Sequence, residues 1–409
     1  LSVVRVKISG VARYRLEPSS EQLPLLGEHC RHARLVWNLA VEQFNCYDPA
    51  KGPAPGYVDQ ARQLTEARAE FAWLRAGAQM VQQQALRDFD RARRNFFAGT
   101  HRRPTWRKQG RHEGFRIVAI STGHVRRLNR SHGVVWIPKV GWVRFRWSRQ
   151  VPSAVSYRVT LDRAGRWHVA FAARPDPIPA PDNQAVVGVD RGVAVAAALS
   201  TGELLTCPGL RPGEAQRLLR LQRSLARSKR GSNRRSRIKT AIGRLNAREV
   251  DRRRNWVERT STDLARRFDV IRVEDLHIRA MTRTARGTVE EPGRNVAAKA
   301  GLNRGILTSG WGQLVTRLEH KARGRVEKIN PAYTSQTCSV CGIVDAKARE
   351  SQAVFACRSC RYTDHADVNA ARNIAQRTIA AGRAVTARGD LGTSRSTKRE
   401  PHPAHLLSA

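Results

Sequence analysis

The sequence is short of negative charge, of lysine and of methionine. Among 409 residues, 34 are acidic against 74 basic, which leaves a formal charge of +40. Lysine supplies only 11 of the 74 bases, and there are only two methionines. So lopsided a surface repels itself, and a polyanion is the partner that compensates it. Arginine's planar fork suits bidentate contacts to phosphate and guanine. A GC-rich genome produces the same skew, so the skew alone carries no specificity. No apolar run of about 18 residues is present and no secretory signal opens the sequence, which makes a lipid surface the weaker candidate partner. Seven cysteines without a secretory signal argue against a disulfide framework and for a reducing cytoplasm. The length allows two or three domains with their own cores.

Residues 3–8 and 12–16 alternate apolar and polar, the pattern of one or two edge strands. Ser19 and Gln22 form a capping box, after which Leu26, Cys30, Ala33, Trp37, Ala40 and Phe44 follow at helical spacing. Residues 52–56 break the pattern, and two further helices are expected at 59–71 and 76–97. The stretches 87–94 and 101–111 are basic and carry Phe89, Phe96, Phe97 and Trp106, a mixture that suits gripping a nucleic-acid backbone and stacking on bases. Taken one at a time, these residues are better explained by a solvated helix with Phe96 and Phe97 in the core. From 115 to 173 the period shifts to two, with strands expected at 134–137, 141–147, 157–161 and 167–172 in a small barrel or sheet. Residues 174–182 place four prolines in nine positions, an extended linker and the clearest domain boundary.

Val186, Val187 and Val189 then form a β-branched run that reads as a buried central strand ending at Asp190, with 193–199 as the next strand of a hairpin. A carboxylate at the end of a buried strand is costly unless a cation lies beside it. A plain turn aspartate is the alternative. Residues 214–268 read as two long helices broken near Gly231, Ser232 and Asn233, with Leu218, Leu219, Leu221, Leu225, Ile238, Ile242 and Leu245 as the apolar stripe and arginine on the other faces. Such a pair suits a duplex backbone or a solvated coiled-coil arm. Residues 269–276 repeat the strand-ending-in-acids pattern with Glu274 and Asp275. The segment 281–309 is expected to be a mobile loop, 311–323 a helix and 325–329 a strand.

Cys338-x-x-Cys341 and Cys357-x-x-Cys360 stand 15 residues apart. Two such knuckles present four thiolates to one structural zinc ion and leave no position open for water; disulfides are the alternative. Cys30, Cys46 and Cys207 read as core or surface thiols. A helix follows to about residue 380 with Val368, Ala371 and Ile374 on one face. Asp367 lies in its first turn, where the helix dipole alone favours an acid. The tail beyond about 384 has the composition of a disordered segment.

Asp190, Glu274 and Asp367 thus occupy a strand end, a strand end and a helix start. Two-metal phosphodiester cleavage needs such a set, because two Mg²⁺ ions about 3.5–4 Å apart take oxygen ligands from several elements. Spacing alone does not make the triad specific. The motifs GVDRG, VEDL, YTSQTCSVCG and DVNAARNI occur in this order, with LEPSSEQ, RLVWN, RRNFF, IPKVGWVRF and ILTSGWGQLVTRLEHKA before the knuckle. Together, from about residue 10 to 380, they resemble the TnpB family, whose descendants include the compact type V CRISPR effectors.

That resemblance implies an α/β multidomain fold: an RNase H-like (RuvC) nuclease core with an inserted zinc ribbon, and an N-terminal β-barrel wedge domain carrying a helical recognition insert. The implied boundaries are 1–20 and 100–180 for the wedge, 21–99 for the recognition helices, 183–335 and 361–384 for the nuclease, 336–360 for the ribbon and 385–409 for the tail. It also implies that Asp190, Glu274 and Asp367 hold two catalytic Mg²⁺ ions and that Cys338, Cys341, Cys357 and Cys360 hold one Zn²⁺. The partners it implies are a guide RNA and a target double-stranded DNA, with one or two protein copies per guide, in the bacterial cytoplasm and on the nucleoid when DNA is bound. One departure matters. The family commonly has Asp-Arg-Asp where this chain has His365-Ala366-Asp367, with Asp364 displaced by one position.

In this family the guide reads the target by pairing and the protein reads a short flanking motif. Of Gln79, Gln82, Gln83 and Gln84, the pair Gln79 and Gln83 matches positions that resemble motif readers, and glutamine suits adenine; a polar helix face is the alternative. Tyr57, Arg230, Arg234 and Arg235 complete the candidates for nucleic-acid contact. The reading is an RNA-guided DNA endonuclease. A guided binder that blocks transcription without cutting stays open, because of the altered Asp-Arg-Asp. A strand-joining transposase is disfavoured by the ribbon between Glu274 and Asp367.

Overall fold

The computed structural model describes residues 11–48, 50, 55–111, 113–173 and 176–377. The strand expected at 3–8, most of the break at 52–56, the start of the proline stretch, residues 378–380 and the basic tail lie outside the described residues, while the final helix, expected to about 380, already ends at Gln376. The chain forms two compact units. One takes the chain up to Asp176 together with Leu210–Glu249, and the other takes Pro177–Gly209 and the chain from Val250 onward.

The first unit opens with β1 (Val11–Glu17) and then inserts α1 (Gln22–Asn45), α2 (Tyr57–Glu70), α3 (Ala72–Ala76) and α4 (Gln79–Phe97). The strands β2 (Gly114–Val118), β3 (Val125–Arg127), β4 (His132–Ile137), β5 (Gly141–Arg146), β6 (Ser156–Leu161) and β7 (Trp167–Ala172) follow. The capping box forms: the Ser19 N–H donates to Gln22 Oε1 at 3.1 Å and the Gln22 N–H to Ser19 Oγ at 3.3 Å. The sheet order is β2-β6-β7-β1-β5-β4-β3. Contrary to the sequence expectation, β1 is not an edge. Val11 to Arg15 pair with β7 and Leu16 and Glu17 with β5, because Tyr14 and Leu16 are drawn into the core. The expected barrel is not seen either: among the described residues β2 pairs only with β6 and β3 only with β4, so the sheet has two free ends. Tyr14 meets Phe145 and Phe171 edge-on at 5.5 and 5.7 Å, which fills the face covered by α1 and α4. Phe89 is core, whereas Phe97 and Trp106 are exposed.

The arginine-rich arm is α5 (Pro212–Arg227) and α6 (Asn233–Arg267), and α6 passes from the first unit into the second. Gly231 between them adopts φ 84°, a left-handed conformation that favours glycine.

In the second unit, β8 (Val186–Asp190), β9 (Ala197–Leu199), β10 (Leu204–Leu205), β11 (Val270–Glu274) and β12 (Val326–Ile329) form a sheet in the order β10-β9-β8-β11-β12. β8, β11 and β12 run parallel, and β9 returns antiparallel to β8. α7 (Ile278–Met281), α8 (Val296–Thr308) and α9 (Trp311–Lys321) come between β11 and β12. The hairpin β13 (Val354–Ala356) and β14 (Thr363–His365) leads into α10 (Ala366–Gln376). The segment expected as a loop therefore contains a helix. α8 is tied down where Lys299 Nζ donates to the Met281 carbonyl at 2.7 Å and Asn303 Nδ2 to the Thr282 carbonyl at 3.1 Å, long-range anchors that composition does not reveal. Val186, expected to be buried, is exposed at the strand's start.

Strand periodicity sorts the helices onto two faces. Val187, Val189, Ile271 and Val273 share a core with Leu264 of α6, with Phe268 just after that helix, and with Leu314 and Leu318 of α9. The alternate residues, Gly188 and Asp190 on β8 and Arg272 and Glu274 on β11, face the other way. There α10 sits directly on the backbone: a methyl at Gly188 would lie 2.0 Å from the Ala371 carbonyl oxygen and 2.5 Å from the Ala375 nitrogen. Gly188→Ala must push α10 off the sheet at a cost of about 1–3 kcal/mol or more. The unfolding midpoint should fall by about 2–4 °C per kcal/mol, read by thermal unfolding; an unchanged midpoint contradicts this seating.

Candidate active site

Asp190 and Glu274 end neighbouring parallel strands. The register pairs Val189 with Val273, so the two acids fall on the next rung, on the face that carries α10. The carboxyl ends of parallel strands are the usual position for sites in sheets of this kind. α10 runs back along β8, its Ala375 beside Gly188 and its first turn beside the strand end, where a methyl on Gly192 would lie 3.6 Å from Asp367 Oδ2. The structure therefore sets Asp190 within electrostatic reach of both Glu274 and Asp367, although 177 residues separate Asp190 from Asp367 in numbering (367 less 190).

The electrostatics report the crowding. Burial, and then the nearby charges of Glu274 and Asp367, push the Asp190 carboxyl up to about 7. Burial also raises Glu274, against the opposing hydrogen bond from Thr334 and the charge of Arg191. Thr334 Oγ1 donates to Glu274 Oε1 at 2.6 Å, and its own carbonyl accepts from Asn373 Nδ2 at 2.9 Å. Asn369 Nδ2 donates to the Thr337 carbonyl at 2.8 Å and its Oδ1 accepts from the Ser339 N–H at 2.9 Å. The asparagines of the DVNAARNI motif thus tie α10 to the segment that supports Glu274. On the other side, Arg191 is buried and one of its terminal nitrogens donates to the Glu274 carbonyl.

Arg349 is the residue sequence reading missed. Its guanidinium donates to Asp367 Oδ1 at 2.8 Å, from the chain segment between the two cysteine pairs. A guanidinium therefore does stand beside Asp367 although position 366 is alanine. Asp364, the displaced acid, is engaged by other side chains. It pairs with Arg372 at 2.8 Å and accepts from Tyr362 Oη at 2.7 Å.

The four cysteine sulfurs lie within 4.8 Å of one another, with Cys338 to Cys360 at 3.7 Å and Cys341 to Cys357 at 3.6 Å. A tetrahedral zinc with Zn–S of about 2.3 Å sets its sulfurs about 3.8 Å apart, so the cluster fits that ion. The Cys360 N–H donates to Cys357 Sγ at 3.5 Å and holds that thiol down, at about 6.

The remaining candidates lie in the first unit. Gln79 is exposed and Gln83 half-buried, whereas Gln82 is buried with its Nε2 donating to the Leu74 carbonyl at 2.8 Å and Gln84 is buried. Tyr57 is half-buried, and its Oη accepts from Arg87 Nε at 2.9 Å. Arg230 and Arg234 are exposed. Arg235 closes the end of α5, donating to the Leu225 and Ser228 carbonyls at 2.6 and 2.9 Å.

A family described as "Probable transposase" matches residues 168–285, and one described as "Cas12f1-like, TNB domain" matches residues 311–374. The "Putative RNA-guided DNA endonuclease InsQ" of Escherichia coli (strain K12) is 34% identical over 396 residues, 95% of this chain and 96% of that protein. The chain belongs to the TnpB family. A "Putative RNA-guided DNA endonuclease" of Streptomyces pristinaespiralis is 30% identical over 388 residues, 92% of this chain and 90% of that one. In fold, this TnpB-family chain is similar to the Cas12f1 of a solved Cas12f1–sgRNA–target DNA complex, with a TM-score of 0.52 at 14% identity over 87% of this chain and 82% of the other. It is a mixed α/β fold of that kind, with a RuvC-like region and a four-cysteine cluster. Among the described residues no helix is long and apolar enough to cross a membrane.

Elemental analysis of the purified protein should find a single zinc per chain, and Cys357→Ser should lose most of it. Four reactive thiols and no metal in the unsubstituted protein would contradict the assignment.

Proposed function

We propose that this chain is an RNA-guided DNA endonuclease that reads a short flanking motif in duplex DNA, forms a guide RNA–target DNA heteroduplex and hydrolyses DNA at Asp190, Glu274 and Asp367. The observation that carries the reading is the convergence of these three acids at the ends of β8 and β11 and the start of α10. The similarity to the two RNA-guided DNA endonucleases named above supports the guided, DNA-directed part.

The donor set suits magnesium: the ligands are hard oxygens from three elements, and the rise of Asp190 to about 7, caused first by burial and then by the charges of Glu274 and Asp367, is of the kind a cation beside it would offset. Asp190, Glu274 and Asp367 would hold two Mg²⁺ ions, and the chemistry these would supply is activation of the attacking water and stabilisation of the leaving oxygen. The chain's own part is positioning. Asp190 is fixed by its strand and by the Arg191 N–H, which donates to Oδ1 at 2.8 Å, and Glu274 by Thr334. Arg349 orients Asp367 and adds a positive charge beside the reacting phosphate. Gln79 and Gln83 present the amides that would read the flanking motif, with adenine the base they suit. Arg230 and Arg234 offer phosphate contacts from the helical arm.

The alternative, a guided binder that represses without cutting, draws on His365 and Ala366, where the family pattern has an acid and arginine. Cleavage of a matched plasmid separates the two. Asp190→Asn, Glu274→Gln and Asp367→Asn should each slow it by on the order of 10³-fold, the equivalent of several kcal/mol of transition-state stabilisation. Chelation of Mg²⁺ should abolish cleavage while guide binding persists. Arg349→Ala should cost about 10–100-fold, with part recovered in Arg349→Lys. An Asp190→Asn protein that cuts like the parent defeats the hydrolytic reading.

A further inference from the structure

In the first unit one carboxylate is surrounded by three guanidinium groups. Asp88, on α4, accepts from a terminal nitrogen of Arg158 at 3.1 Å, while the nearest nitrogens of Arg116 and Arg107 lie 3.8 and 3.9 Å away. The last two distances exceed hydrogen-bond reach, so those forks lean on the acid without committing their donors to it. The three positive charges against one negative leave the cluster at +2.

The cluster is built rather than accidental. Arg116 and Arg158 are directly opposite one another on β2 and β6, a like-charge rung that weakens a sheet. Arg107 is fixed from three sides. Its guanidinium stacks 3.8 Å from the centre of the Trp37 ring, its N–H donates to Asn38 Oδ1 at 2.8 Å, and its carbonyl accepts from Asn38 Nδ2 at 3.1 Å. The side chain is only 14% exposed, against 47% for Arg158, so the cluster opens to solvent on the Arg158 side. Burial, and then repulsion from Arg158, depress the Arg107 guanidinium to about 10 despite Asp88. Charge held this way against its own repulsion calls for an anion, and planar forks grip a phosphate bidentately. The open side and the exposed Trp106 next to Arg107 fit a polymer with bases to stack, not an enclosed small anion.

We infer that Arg107, Arg116 and Arg158, oriented by Asp88, form a binding site for a phosphodiester phosphate of a nucleic-acid backbone. The inference rests on the nucleic-acid-directed reading above and locates one of its contacts. The phosphate comes from the guide RNA or from duplex DNA, and salt dependence separates these sources.

The test uses the full-length protein and two fluorescent probes, a single-stranded RNA and a duplex DNA, with affinity measured between about 50 and 200 mM salt. Arg116→Gln and Arg158→Gln should each flatten the log–log salt slope by about 0.7 on the RNA or about 0.9 on the duplex, and the probe affected names the source. Arg158→Lys should keep the slope while weakening affinity through loss of the fork. Asp88→Asn should leave the slope undiminished. Unchanged slopes on both probes in both glutamine variants would overturn the site and leave a folding device, most plainly if Asp88→Asn and Arg116→Gln lower the unfolding midpoint alike. Binding of neither probe by the parent protein would remove the site together with the reading beneath it.

Discussion

Three carboxylates held close together in a half-buried place are the constraint on which the second unit turns. Asp190 feels the charges of both Glu274 and Asp367, and repulsion of this kind draws on a margin of only about 5–15 kcal/mol for a whole domain. The chain resists the separation with rigid supports and counter-charges. Gly188 lets α10 lie on the backbone of β8, Asn369 and Asn373 bind α10 to residues 334–339, and Thr334 passes that restraint to Glu274. Arg191 and Arg349 bring positive charge from two sides. The cysteine knuckles belong to the same account, since the segment between them carries Arg349 and a metal that closes the knuckles also fixes that segment.

The first unit shows the same economy with the sign reversed. There, guanidinium groups outnumber the acid that gathers them, and an aromatic ring holds one of them against the repulsion while an asparagine pins its backbone. In each unit charge of one sign is concentrated on rigid elements, an arrangement that an opposite charge would complete. Arginines such as Arg235, whose donors close a helix end, add to the count without being available in this way.

Much of this was legible in the sequence where the signal is local. β-branched runs ending in an acid placed β8 and β11, paired cysteines placed the knuckles, and the Ser19–Gln22 box placed the start of α1. Signals that depend on distant partners were not legible. Residues 11–17 look like an edge because alternation does not say how many neighbours a strand has. α8 hides in a glycine- and arginine-rich stretch because Lys299 and Asn303 find their acceptors on residues 281 and 282. Arg349 looks like any other arginine until the fold sets it on Asp367. Thr334 and the two asparagines sat inside motifs whose order was recognised but whose hydrogen bonds no spacing rule supplies.

The claim beneath all of this is that Asp190, Glu274 and Asp367 share divalent cations. Crystals of the protein soaked in Mn²⁺ and measured at its absorption edge test it directly. The account predicts two anomalous peaks about 3.5–4 Å apart among the three carboxylates, with the Arg349 guanidinium drawn off Asp367 as the ions enter. Manganese bound elsewhere, with these carboxylates left empty at saturating metal, would contradict it.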